Sequence, residues 1–280
     1  MYNTCKNNEI IKNIRNKKPI VHCITNYVTA NDCANAVLAI GGSPIMADEE
    51  CEVEDILSLS SCLVINIGTI NSNKIKAVLK ACEFANKINK PIVLDPVGVS
   101  ACAFRKDIIK ELLDKVHFTV IKGNLTEINT LSNFAIKSGG VDVSKNDVIT
   151  ENNINDICKS VQKLSEKLDC IIAVTGEKDI VAYKNNIAVI SNGVSAMSKI
   201  TGTGCMLSAI CGAFISTDTN NAFESTISSI CCMGICGQRA YSLTAEKGTG
   251  SMRVELINQL SLFTDSILQE EKKVEYRKST

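Results

Sequence analysis

Short runs rich in Ile and Val, each closing on small or polar residues, alternate along this chain with longer runs of helical periodicity. PIVHCITN (19–26), SCLVINIG (61–68), PIVLDPVG (91–98) and HFTVIKGN (117–124) read as buried strands, and SPIM (43–46) as a short one. Between them lie TANDCANAVLAIGG (29–42), NSNKIKAVLKACEFANKIN (71–89) and RKDIIKELLDK (105–115), whose apolar residues return every three or four positions. A further helix opens near Asn124, and another is predicted over 151–167. Strands joined through helices run parallel, so this order predicts an α/β fold with a mostly parallel central sheet and helices on both faces.

The pattern changes at DCIIAVTGEKDIVAYKNNIAVISNG (169–193), where strands follow one another through tight polar turns such as KNN. That stretch predicts an antiparallel addition to the sheet. Beyond residue 203 the chain reads as helical, over 203–216, 220–242 and 250–268, and the charged tail EEKKVEYRKST is expected to be frayed and solvated. KSGGVDVSKND (137–147) reads as a surface loop. No repeat or Pro/Gly/Ser-rich linker divides the sequence, so residues 1–280 are expected to form one domain.

Composition narrows the function. Thirty basic residues balance thirty acidic ones, so no overall field draws nucleic acid or an anionic membrane. Apolar residues make up 45% and charged residues 21%, as in an ordinary globular protein. The start of the chain is polar, and no apolar run approaches the ~20 residues of a membrane span. A cytoplasmic protein is expected. The 14 cysteines lie in apolar segments without a C-x-x-C pair, and His22 and His117 stand apart from them, which argues for reduced thiols over disulfides or zinc. Cys231, Cys232 and Cys236 read as small apolar fillers of a buried helix.

Ligands of parallel sheets collect at the carboxyl ends of strands. Those ends deliver Asp95; Lys122, Asn124 and Glu127; Thr175 and Gly176; and, before the first C-terminal helix, TGTGC (201–205). Gly202 and Gly204 let backbone approach a ligand, and the free N–H groups of a helix start suit a phosphoryl group. The same glycines also suit a plain tight turn that packs a helix on a sheet. Neither G-x-x-x-x-G-K-[ST] nor G-x-G-x-x-G occurs. Cys205 stands at the helix mouth, where thiols are most readily activated. Asp95 and Glu127 are hard oxygen ligands able to meet Mg²⁺ directly or through water, and each equally suits a cap or a surface charge.

VHCITNYV, GGSPIM, VINIGTI, LDPVGVS, IKGNLTEI, VTGEKD, TGTGCMLSA and EKGTGSM together resemble, in order and spacing, the hydroxyethylthiazole kinase family. The likeness runs from about residue 20 to 265. It implies a ribokinase-like fold and transfer of the ATP γ-phosphate to the primary hydroxyl of 4-methyl-5-(2-hydroxyethyl)thiazole, a step of thiamine salvage. It also implies Mg²⁺ and a homotrimer with active sites between subunits. On this resemblance Met46, Gly202 and Asn26 line the thiazole pocket, and Lys122, Thr175, Asn124 and Gly204 fall at ATP. Asp95 and Glu127 serve the metal, while Cys205 takes the place where sugar-kinase relatives keep an aspartate base. Two residues depart from the common pattern: Lys122 stands where many members carry arginine, and Ser100 where glycine is common. Met46 and Thr175 also fit a core residue and a strand end. Rival readings are a kinase for a pyrimidine or pyridoxal alcohol, a dehydratase for hydrated nicotinamide cofactors, and a non-catalytic thiazole or nucleotide sensor. GTGC in place of GAGD or GTGD separates the thiazole reading from the first two.

Overall fold

The computed structural model describes residues 9–135 and 149–278. The chain begins with α1 (Ile10–Lys17), β1 (Ile20–Ile24), α2 (Ala30–Ile40), β2 (Ser43–Ile45), α3 (Val53–Leu59), β3 (Cys62–Asn66) and α4 (Ser72–Lys87). There follow β4 (Ile92–Asp95), α5 (Ala103–Lys115), β5 (Val120–Asn124), α6 (Leu125–Ala135), α7 (Ile154–Leu168) and β6 (Ile171–Thr175). A run of two strands, β7 (Asp179–Tyr183) and β8 (Asn186–Ile190), leads to α8 (Thr203–Thr217), α9 (Ala222–Thr244), α10 (Thr249–Leu262), α11 (Asp265–Glu271) and β9 (Val274–Lys278). The expected surface loop at 137–147 lies outside the described residues.

Among these residues the strands form one nine-stranded sheet in the order β2-β1-β3-β4-β5-β6-β7-β8-β9. The first six are parallel and the last three antiparallel, as the change of pattern after residue 169 predicts. Strand residues alternate between two cores. Val21, Cys62, Val64, Val93 and Val120 pack with α1, α2 and α8–α11. Ile24, Leu63, Ile65, Leu94 and Ile121 pack with α3–α7 on the other face. Cys231, Cys232 and Cys236 lie fully buried in α9, as fillers should, and the described cysteines are free thiols. No helix among the described residues is long and apolar enough to cross a membrane.

The tail corrects the sequence reading. Val274–Lys278 is not frayed but pairs antiparallel with β8, in the register Ile190↔Val274 to Asn186↔Lys278. An edge strand needs only backbone partners, and its charged side chains remain in water. The Tyr276 hydroxyl donates to Glu224 at 2.7 Å, and Arg277 Nη1 to Asn155 at 2.9 Å. The helix expected over 250–268 is also two helices. Phe263 is extended between them, and the Thr264 side chain caps α11 by accepting the Ile267 N–H at 3.3 Å. Helices α1 and α3 are additions that the sequence reading does not foresee.

Helix α8 crosses β1, β3 and β4. Gly212, midway along it, makes this approach possible. A Cβ there would stand 2.7 Å from Val64 Cγ2, 3.0 Å from Val21 Cγ1 and 3.4 Å from Cys62 Sγ. Because Gly212 rests over the sheet interior, the start of the helix, two turns earlier, reaches the carboxyl edge of β1 and β3. Gly212→Val should therefore overpack this contact and lower stability by about 1–3 kcal/mol. Urea unfolding checks this, and an unchanged midpoint would show that α8 can lift from the sheet at no cost.

Candidate active site

The chain leaves β1 towards β2 on one side and reaches β3 on the other, so the strand order reverses at β1. Such a reversal opens a crevice at the carboxyl ends of the strands. Asn26 follows β1, Asn66 ends β3, Asp95 ends β4, Asn124 ends β5 and Thr175 ends β6. Asn66 faces Asp95 in the register, and Asn124 faces Thr175. The start of α8 covers this row.

Hydrogen bonds tie Asn26, Asn66 and Asp95 of this row into one network with the start of α8. Cys205 Sγ accepts from Asn26 Nδ2 and from Asn66 Nδ2, each at 3.2 Å. Backbone groups set the orientation of both amides. The Thr29 N–H, which can only donate, meets Asn26 Oδ1 at 3.1 Å, and the Gly68 N–H meets Asn66 Oδ1 at 2.9 Å. The amide nitrogens must then face the sulfur. Asn66 Nδ2 also donates to Asp95 Oδ2 at 3.0 Å, and Asn26 Nδ2 to Asn66 Oδ1 at 3.1 Å.

Asp95 is only 1% exposed. Its Oδ2 accepts from Ser208 Oγ at 2.7 Å and from Lys122 Nζ at 3.3 Å as well as from Asn66. Lys122 is 4% exposed, and its Nζ also donates to the Gly204 carbonyl at 2.9 Å. Burial disfavours its charge, but Asp95, with Cys205 and Glu127 behind it, outweighs that cost and holds the lysine above its ordinary pKa. The ammonium is thus locked beneath the first turn of α8. A Cβ on Gly204 would lie 3.4 Å from this nitrogen.

Glu127 and Asn124 form a reciprocal cap on α6. Glu127 Oε2 accepts the Asn124 N–H at 2.8 Å, and Asn124 Oδ1 accepts the Glu127 N–H at 2.9 Å. The other carboxylate oxygen, Oε1, accepts the Gly98 N–H at 2.9 Å, which ties the loop after β4 to the same group. Burial raises the Glu127 pKa despite these two amides. Arg105 braces the neighbouring loops by donating to Val97 O at 2.6 Å and to Gly68 O at 2.7 Å.

Gly202 is the N-cap of α8 at φ +87°, a conformation that favours glycine, and a Cβ there would run into the Thr29 side chain. Among the described residues α8 has no side-chain cap at its N-terminus, and the first N–H groups of a helix have no intrahelical partner. Beside this turn lies a cavity of about 810 Å³ lined by Thr175, Gly176, Asp179, Asn192, Thr203 and Gly204 among others. Met46 follows β2, half-buried against the core on the α8 side and outside the hydrogen-bond network. Among the described residues no three His, Cys, Asp or Glu side chains gather as a metal cluster.

Sequence reasoning missed Asn66, Ser208 and Asp179. Asn66 had the same signal as Asp95, a polar residue closing a buried strand before a turn. Ser208 carried none, since it reads as one more residue of an apolar helix.

Asp179 Oδ1 accepts the Gly176 N–H at 3.0 Å, and burial pushes its carboxyl up to about 7, against the pull of that amide and of Lys122. A carboxyl raised in the folded state contributes stability that is fully present below its unfolded value of 3.8 and is lost as pH rises through about 7. Asp179→Asn should therefore gain stability relative to the parent between pH 4 and pH 8. Urea unfolding at both ends of that window tests it, and a pH-independent difference would refute the shift.

The model of the hydroxyethylthiazole kinase family matches residues 11–266. A hydroxyethylthiazole kinase of Clostridium acetobutylicum is 46% identical over 253 residues, covering 90% of this chain and 93% of that protein. The solved hydroxyethylthiazole kinase of Pyrococcus horikoshii OT3 superposes with a TM-score of 0.85 at 34% identity, over 96% of this chain and 98% of its own. A ribokinase-like superfamily protein of Enterococcus faecalis V583 shares the fold with a TM-score of 0.61 at 12% identity, over 91% and 89% of the two chains. The architecture is ribokinase-like, and by sequence and structure alike the chain belongs to the hydroxyethylthiazole kinase family.

Proposed function

We propose that this chain transfers the γ-phosphate of ATP to the primary hydroxyl of 4-methyl-5-(2-hydroxyethyl)thiazole, the thiamine-salvage step that its family membership implies. One observation carries the mechanism: Cys205 sits at the uncapped mouth of α8 with its sulfur fixed by two asparagine amides. The hydroxyl oxygen attacks the γ-phosphorus as the bond to the ADP oxygen breaks, and the hydroxyl proton passes to Cys205 Sγ, which takes it as the thiolate and becomes the thiol. The N–H groups at the start of α8 hold the spreading negative charge of the phosphoryl oxygens. Little proton transfer is needed before the new bond forms, so fixed donors and positioning supply most of the rate. The alcohol occupies the side of Asn26, Met46 and Gly202, and the nucleotide the cavity lined by Thr175 and Gly204, with Asn124 beside Thr175 in the sheet. Lys122 acts from beneath as a buried positive charge rather than as an exposed grip on phosphate.

The acids fit Mg²⁺ held through its water shell. Both Glu127 oxygens accept backbone amides and Asp95 is ion-paired, while Mg²⁺ characteristically keeps several waters. Glu127 and Asp95 would hold that hydrated ion, which supplies charge neutralisation of the phosphates when bound. The proposed homotrimer has support in exposed Leu38 on α2 and exposed Val254 and Leu262 on α10, a helix packed against α2.

ADP release with the thiazole alcohol, against pyrimidine and pyridoxal alcohols, tests the assignment. Thiazole should be turned over fastest, and equal or better rates with another alcohol would reassign the substrate. Cys205→Ala should lower kcat by roughly 10²-fold, the low end for a positioned base, with little change in the thiazole KM. Steady-state kinetics of that variant and of Cys205→Asp, which should keep or raise turnover, decide the role of the sulfur. Three equal rates would remove it from proton transfer.

A further inference from the structure

A second polar cluster, away from the sulfur, joins the loops that carry Asn26 and Met46. Lys74 lies in the first turn of α4, with its side chain only 2% exposed. Its Nζ donates to the Thr25 carbonyl at 2.7 Å, one residue before Asn26. It lies 3.0 Å from Asp48 Oδ2, two residues beyond Met46. The third direction is closed by the Tyr27 ring, whose centroid is 3.7 Å away. An ammonium has three donors, and here a carbonyl, a carboxylate and an aromatic face surround it.

The fold does not require a cation at this place. The other buried positions of α4 are Ala77, Val78, Ala81, Cys82 and Ala85. Replacing a buried ion pair by apolar residues of similar volume is often neutral for stability. What a lysine supplies and an apolar side chain does not is a bond to two separate loops at once. Both loops have further anchors that make such a bond effective. The Tyr27 N–H donates to Thr69 Oγ1 at 3.0 Å, and His22 Nε2 meets the Ala47 carbonyl at 2.8 Å. With these ends held, the Lys74 contacts fix the distance between the Asn26 loop and the Met46 loop.

We propose that Lys74 is a positioning residue for the acceptor alcohol: by clamping the loops after β1 and β2 it sets affinity for the heterocycle and takes no part in phosphoryl transfer. The substrate half of this statement rests on the thiazole reading above, whereas the clamp itself does not.

Two readouts on the full chain test it with Lys74→Met, Lys74→Arg and Asp48→Asn. Backbone amide exchange needs no substrate. In Lys74→Met, exchange should rise by about tenfold or more in residues 25–29 and 46–50 together, the scale set by loss of a charged hydrogen bond, and stay unchanged in the loop at 97–101. Steady-state kinetics should show the thiazole KM up by about tenfold with the ATP KM and kcat within about twofold, and Lys74→Arg should recover most of the loss. Should Lys74→Met not fold, Asp48→Asn, whose side chain is 34% exposed, carries the test with the same two readouts, and because it cuts only one of the two ties its rise in exchange is expected in residues 46–50. Loosening of only one loop in Lys74→Met, an unchanged 46–50 in Asp48→Asn, or loosening of the whole sheet edge in either would overturn the clamp. A loss in kcat alone, equal rises in both KM values, or loose loops with an unchanged thiazole KM would overturn the positioning role. Absence of turnover with the thiazole alcohol in the unsubstituted protein would instead remove the substrate assignment, and the exchange data would still decide the clamp.

Discussion

The buried pair of Asp95 and Lys122 is the constraint around which the active edge is organised. Two charges this deep in a protein persist only when each is fully engaged, because an unpaired partner costs about 3–5 kcal/mol. Asp95 meets that demand by drawing Asn66, Ser208 and Lys122 to one carboxylate oxygen. Lys122 meets it by reaching the Gly204 carbonyl in the first turn of α8. A strand end, a neighbouring strand end and the helix above them are thereby fixed to one another. Asn66, placed by the pair, in turn presents its amide to Cys205. The contact of the sulfur with Asn66 is thus tied to the buried pair, and its contact with Asn26 to the Thr29 N–H.

This arrangement explains why a lysine is tolerated where the family resemblance leads one to expect an arginine. A guanidinium is a planar fork best suited to bidentate contact with an oxyanion, whereas an ammonium is a compact point charge. In the pocket beneath Gly204 the nitrogen must meet a carboxylate oxygen and a carbonyl that lie in different directions, and a point charge with rotatable donors does so. The residue carries charge to the site without projecting into the cavity.

Much of this was legible in the sequence, and for a physical reason. Strands buried on both faces must be nearly all apolar, so a polar residue at their end stands out, which is how Asp95, Lys122, Asn124 and Thr175 could be found. Asn66 carries the same mark. Ser208 and Lys74 do not, because Ser208 reads as one more residue of an apolar helix and Lys74 as one of several solvent-facing charges of α4 until the neighbouring loops are known. The tail failed for a related cause. An outer strand such as β9 needs no apolar alternation on both faces, and its charges matched the composition of a disordered end. Phe263 and Thr264 hid a helix break because neither Gly nor Pro announces it.

Two helices that begin at the carboxyl edge show what distinguishes a structural end from a functional one. At α6, Asn124 and Glu127 close each other's N–H groups, so that helix start offers no free donor from those two residues to a ligand. At α8 the residue in the capping position is Gly202, whose backbone conformation and closeness to Thr29 leave no room for a side chain. A Ser or Asp cap there would stabilise the helix by typically ~1 kcal/mol, and would do so by occupying the donors that an incoming phosphoryl group needs. The open end costs stability that the rest of the edge supplies, through Asn26 holding Thr29 and Lys122 holding Gly204. Gly202 and the Asp95–Lys122 pair therefore belong to one device, in which the uncapped helix start stays rigid only because side chains beneath and beside it do the fixing that a cap would otherwise do.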